Sequence, residues 1–182
     1  MYQVFQSHLL RWQSITCSLA VLRREHRIVS YPNASPVYHG TSVLAGVKRV
    51  QDLGWIEGYK WAFNIDDVLY GIGHNGPAVL GLAWYSGMYE PDSDGFIKPT
   101  GSLSGGHAIL ARAVNVKEGY VTLRNSWGKN WGKNGDCYIT FEDLEFLLKQ
   151  QGECCFLTKR KTRLQRAIKK LLSIFSFFKS KK

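Results

Sequence analysis

The sequence predicts an α+β fold, with a helical part first and an antiparallel sheet after it. Three observations carry this. Apolar residues recur at helical spacing before residue 74, they alternate at strand spacing after it, and the tight turn Lys117-Glu118-Gly119 separates two of the alternating runs. Helices and sheet are expected to form two lobes that meet at a cleft.

Each element has its own local signal. Gln13 or Ser14 caps a helix expected over residues 15–26, with Leu19, Leu22 and Val21 toward its apolar side. Tyr31-Pro32-Asn33-Ala34-Ser35-Pro36 reads as a loop. Thr41 is the expected N-cap of a helix over 43–53, where Val43, Val47 and Val50 recur, and Gly54 supplies its left-handed stop. Asn64 caps a short helix over 65–70, with Asp66 and Asp67 at its positive end. After His74-Asn75-Gly76-Pro77 the period changes, and strands are expected over 78–84, 106–116, 120–125 and 137–140. Thr140 then caps a helix over 141–149, with Glu142 and Asp143 in its first turn.

The chain has 182 residues, 45% hydrophobic and 21% charged, which suits one globular domain with an appendage. Its net charge of +10 is unevenly placed. Residues 1–158 hold fourteen basic and fourteen acidic side chains, whereas 159–182 hold ten basic ones and no acid. The expected organisation is therefore a neutral domain over 1–158 (a helical part over 1–73 and a sheet part over 74–158) followed by a basic tail. In the tail, Leu164, Ile168, Leu171, Phe175 and Phe178 recur at helical spacing opposite Arg163, Arg166, Lys169 and Lys170. A cationic amphipathic helix of this kind suits an anionic membrane surface. A helix docked on the domain, a solvated end and nucleic-acid binding are the competing readings, the last disfavoured by the aromatic apolar face.

Cys17, Cys137, Cys154 and Cys155 show neither a disulfide framework nor zinc-ligand spacing, so reduced and mostly buried thiols are expected. His8, His26, His39 and His74 lack metal spacing too, and no cofactor is expected. Asp92-Ser93-Asp94-Gly95 looks like the start of a calcium loop but lacks the distal Glu, so a turn is the better reading. No basic n-region precedes residues 15–22 and no run reaches the length of a membrane span, so a cytoplasmic or peripheral-membrane setting is expected.

Two residues stand out as chemistry. His107 and Asn125 lie near facing ends of the hairpin centred on Lys117-Glu118-Gly119, eleven residues before Glu118 and seven after it, so a bulge or stagger must align them. An imidazole that activates a thiol needs a third group to hold its ring, and an Asn amide serves. Trp127 is placed to shield that hydrogen bond, and Gly128, Gly132 and Gly135 allow tight turns. From the residues alone, a core or surface histidine is the competing reading for His107.

Four segments in order resemble the sheet lobe of the papain-like cysteine peptidases. They are Gly76-Pro77-Ala78-Val79, Tyr85-Ser86-Gly87-Met88-Tyr89, Gly106-His107-Ala108-Ile109-Leu110, and Asn125-Ser126-Trp127-Gly128 continued through Trp131-Gly132 to Gly135. The resemblance implies a papain-like two-lobe fold, with His107 as base, Asn125 as its orienter and Trp127 as the shield. It implies a short member of bacterial or bacteriophage type with a shortened or degenerate helical lobe. The nucleophile it implies is Cys17, at a predicted helix N-terminus that favours its thiolate. Gln13 is the implied oxyanion donor, although it lies four residues upstream of Cys17 where the family has six. Lys60-Trp61-Ala62-Phe63 mimics the family's nucleophile segment with Lys in place of Cys, and its Trp61 and Phe63 read as packing. Cys137, Cys154 and Cys155 do not suit the nucleophile's position.

The expected function is hydrolysis of peptide bonds in a peptide or protein substrate through a thiolate–imidazolium pair and an acyl-enzyme. The alternatives are an inactive papain-like binding module and an amidase acting on cell-wall peptide.

Overall fold

A computed structural model of the protein describes residues 42–160. Cys17, Gln13, the helix expected over 15–26, the loop at 31–36, the segment around His39 and the amphipathic part of the tail lie outside the described residues. Helix α1 spans Val43–Asp52, strand β1 Ile56–Ala62, helix α2 Ile65–Asn75 and strand β2 Ala78–Tyr85. A 3-10 turn at Ser86–Met88 precedes β3 (Leu103–Asn115), β4 (Tyr120–Arg124), β5 (Asp136–Thr140), α3 (Phe141–Lys149) and β6 (Glu153–Lys159).

The strands make one six-stranded sheet in the order β1-β6-β2-β3-β4-β5, with antiparallel neighbours throughout. Alternation sorts its residues onto two faces. One face carries Leu80, Leu82, Trp84, Ile109, Ala111, Val121, Leu123, Cys137 and Ile139, which α2 (Val68, Ile72) and α3 (Leu144, Leu147) cover to form the main core. On the other face, Val43, Val47 and Val50 of α1 pack on Val79, Leu110, Cys155 and Leu157. Two glycines allow close helix–sheet approach. A Cβ on Gly71 of α2 would lie 2.3 Å from the Phe156 ring, and one on Gly81 of β2 would lie 2.7 Å from Val43.

The α+β class and the antiparallel pairing agree with expectation, and several details are corrected. Ser42, not Thr41, caps α1: its Oγ accepts from the Ala45 N–H at 3.2 Å. Helix α2 runs five residues beyond Tyr70 to Asn75, because Ile72 continues the apolar stripe begun by Val68. Strands β1 and β6 were not foreseen. β1 lies within the part expected to be helical, and β6 holds Cys154 and Cys155 between β1 and β2. The expected division at 73 and 74 falls inside α2. Lys159, expected to open the tail, pairs with Ile56 as the last residue of β6, and the Arg160 guanidinium donates to the Gly54 carbonyl at 2.8 Å.

Phe63 does not pack as expected: it is 86% exposed, whereas Trp61 on β1 packs on the second core and meets Tyr59 edge-on. The segment 92–95 is a turn, as expected. The Asp92 carboxylate accepts from the Asp94 and Phe96 amides, and no group of three or more metal-ligating side chains occurs among the described residues. No helix among them is long and apolar enough to cross a membrane.

Candidate active site

His107 and Asn125 meet because β3 carries a bulge. From Asn115↔Tyr120 to Ala113↔Thr122 the hairpin ladder is regular. The register then shifts around Arg112, and Ala111 pairs with Leu123 and Leu110 with Arg124. One more step along this register sets Asn125 opposite Ile109, whose side chain shares a face with His107. Without the extra residue Asn125 would stand opposite Leu110 and face the other way.

The contact itself is a hydrogen bond of 3.0 Å between His107 Nε2 and Asn125 Oδ1. Asn125 is 6% exposed, and its Oδ1 also accepts from the Ser126 N–H at 2.8 Å. That second donor is a backbone amide, so it identifies the side-chain atom as the oxygen. An acceptor facing Nε2 places the ring proton there, and in the neutral imidazole the basic lone pair then belongs to Nδ1. Asn125 Nδ2 is buried and has no hydrogen-bond partner among the described residues.

Aromatic rings surround the pair. Trp127 lies 4.9 Å from His107 between ring centroids, and Trp84 lies 4.5 Å away on the adjacent strand. Tyr89 stacks on Trp127 at 5.6 Å and an interplanar angle of 7°, while Trp131 meets Trp127 edge-on. The Trp131 indole N–H donates to the Tyr89 carbonyl, which ties the turn after β2 to the 125–135 loop. Of these rings Trp84 is buried, whereas Trp127 and Tyr89 are 39% and 45% exposed. Trp127, expected as the shield, lies beside His107 and is itself exposed. Trp84 was missed, although its signal was present: it continues the alternation of Leu80 and Leu82.

The loop is held at its base. The Asn125 N–H donates to the Gly135 carbonyl at 2.9 Å. Gly128, Gly132 and Gly135 take positive φ of 94°, 55° and 88°. At Gly132 the need is strict, since a Cβ there would sit 2.3 Å from the Asp136 carbonyl oxygen. Behind the loop, Arg124 Nε lies 2.7 Å from Asp136 Oδ1, and Arg112 also pairs with Asp136. Burial raises the Asp136 pKa, and the two guanidinium charges oppose that rise. None of these three residues was singled out from sequence. Charged side chains inside otherwise apolar strands were the available signal.

The thiols of the described residues cannot serve as nucleophiles. Cys137, Cys154 and Cys155 are free but fully buried, and burial pushes each up to about 12. A neutral, enclosed thiol is inert. His74 has a structural role: its ring stacks on Tyr70, and its Nδ1 lies 2.9 Å from the Tyr70 carbonyl oxygen.

No protein-family model matches the chain. Over 63 residues it is 35% identical to a gut-specific cysteine proteinase of Caenorhabditis elegans and 33% identical to cathepsin B-like cysteine proteinase 4 of the same organism. Each match takes in 34% of this chain and spans 19% of the relative's length. Among solved structures, xylellain, a cysteine protease from Xylella fastidiosa, aligns with a TM-score of 0.47 at 22% identity, over 58% of this chain and 41% of that one. Procathepsin B S9 from Trypanosoma congolense aligns at 0.48 and 18% identity, over 58% and 37%. The sequence similarity is thus to cysteine proteinases, and it covers a part of each.

Proposed function

We propose that the chain is a papain-like cysteine peptidase that cleaves peptide bonds through an acyl-enzyme. The observation that carries this reading is the His107 Nε2–Asn125 Oδ1 bond at the mouth of the 125–135 loop. It fixes the imidazole tautomer so that Nδ1 is the nitrogen that exchanges a proton with a nucleophile.

In this reading the nucleophile is Cys17, since the other three thiols are enclosed in the cores. The Cys17 thiolate attacks the substrate carbonyl carbon, with Gln13 and the Cys17 amide as donors to the oxyanion. His107 protonates the leaving amine as the C–N bond breaks. Water, deprotonated by His107, then hydrolyses the thioester and frees Cys17. Residues 161–182 would bring the enzyme to an anionic membrane surface, which co-sedimentation with anionic and neutral vesicles tests.

The deciding experiment treats the full chain with an epoxysuccinyl thiol probe. The expected result is a single adduct that disappears in Cys17→Ala and persists in Cys154→Ala. No adduct on the intact protein would overturn the peptidase reading in favour of a papain-like binding module. A panel of protein substrates against cell-wall peptides separates peptidase from amidase, since the two share these residues and differ in substrate.

A further inference from the structure

We propose that Arg112, Asp136 and Arg124 form a positioning clamp that holds the β3 bulge and the base of the 125–135 loop in the one register that sets Asn125 against His107. The inference rests on reading His107 and Asn125 as base and orienter, and it assigns a role to three charged residues that this reading leaves unused.

The bulge decides which face Asn125 occupies, and a bulge costs ladder hydrogen bonds, so something must hold it. The bulged residue is Arg112, and its guanidinium reaches past β4 to Asp136 on β5. Between them stands Arg124, paired in register with Leu110 on one side and Asp136 on the other. Arg124 approaches Asp136 through both Nε, at 2.7 Å, and Nη2, at 3.2 Å. Its remaining Nη1 donates to the Asn134 carbonyl at 2.6 Å. That carbonyl is presented by an unusual backbone: Asn134 has φ of 58°, a conformation that Asn tolerates better than most residues.

One carboxylate therefore ties together the bulge, the residue before Asn125 and the residue after Gly135. Asp136 is 7% exposed, while the Arg112 and Arg124 side chains are 26% and 18% exposed, so the set is a part-buried one with reduced solvent screening. Sliding β3 by one residue along β4 would turn Asn125 and His107 to opposite faces, and it would also part Arg112 from Asp136, whereas Arg124 and Asp136 keep their own β4–β5 register. The clamp thus selects the register in which the candidate pair exists. The three residues act through the backbone that carries Asn125 and are positioning residues.

The test reads the hydrogen bond itself in the isotope-labelled full chain. Wild type should show an imidazole Nε2–H resonance of His107 that Asn125→Ala removes. Arg112→Met and the isosteric Asp136→Asn, compared under conditions where each remains folded, should broaden that resonance or speed its exchange about tenfold or more by local opening. Arg112→Lys should restore it in part, because a cation again faces Asp136. A folded Arg112→Met or Asp136→Asn variant with the wild-type resonance and exchange rate would overturn the clamp while leaving the base–orienter pair intact. Absence of the resonance from wild type would instead overturn the pairing of His107 with Asn125, and the clamp with it. Labelling of Cys17 reports on catalysis separately from both.

Discussion

His107 and Asn125 lie eighteen residues apart in the chain and 3.0 Å apart at Nε2 and Oδ1. A single bulged residue converts that separation into a shared face. The chemistry proposed for the chain depends on this parity as much as on the identity of the two side chains.

Substitution at the pair should separate proton transfer from orientation. His107→Ala removes the general base and should lower kcat/KM by about 10²–10⁴. Asn125→Ala leaves the imidazole but frees its ring, so its loss should be smaller and should appear in kcat more than in KM. Both are read with a fluorogenic peptide substrate. Equal, negligible effects of the two would count against the assigned roles.

The buried thiols set an alkaline limit. In the folded chain Cys137 and Cys154 are raised from 9.0 to about 12, so the unfolded chain loses these protons first. Their contribution is fully present below pH 9 and is lost as pH rises from 9 toward 12. Within that window unfolding free energy should fall by up to about 1.4 kcal/mol per pH unit for each thiol. Urea denaturation at pH 7.5, 9 and 10.5 measures the fall, and Cys154→Ala should flatten it.

Gly132→Ala tests the geometry of the loop. The new methyl group would meet the Asp136 carbonyl oxygen at 2.3 Å, at a residue whose φ is +55°. The combined strain should cost about 1–3 kcal/mol and alter the fluorescence of Trp127 and Trp131. The comparison is Gly73→Ala, where a Cβ meets nothing within 4 Å and the change should be neutral or slightly stabilising.

Glu153 anchors the first described helix. Its Oε2 accepts from the Val43 N–H at 3.1 Å, supplementing the Ser42 cap at the positive end of α1. Glu153→Ala should cost about 0.5–2 kcal/mol, and Glu153→Gln less, since an amide oxygen still accepts. Thermal melts followed by circular dichroism distinguish the two.

Much of this protein is local and therefore legible in its residues. The 141–149 helix with its Thr140 cap, the Asn64 cap and strands β2 to β5 follow from periodicity and side chains that bond their own backbone. The motif through residues 125–135 pointed to His107 and Asn125 before any geometry was known. Strands β1 and β6 were not legible, because their partners lie about a hundred residues apart and neither has strict alternation. Phe63 misled for a related reason: its neighbour Trp61 packs, and only the end of β1 decides that Phe63 does not.

By itself the sequence determined the fold class and the periods of most of its elements, which depend on neighbours a few residues away, and it singled out His107 and Asn125 as the candidate pair. Only the tertiary structure decided that Asn125 faces His107, because that rests on a one-residue shift at Arg112 propagated along a ladder. It also decided that Asp136 sits where two guanidiniums converge. Long-range register is a property of paired strands, and no residue of a single strand encodes it alone.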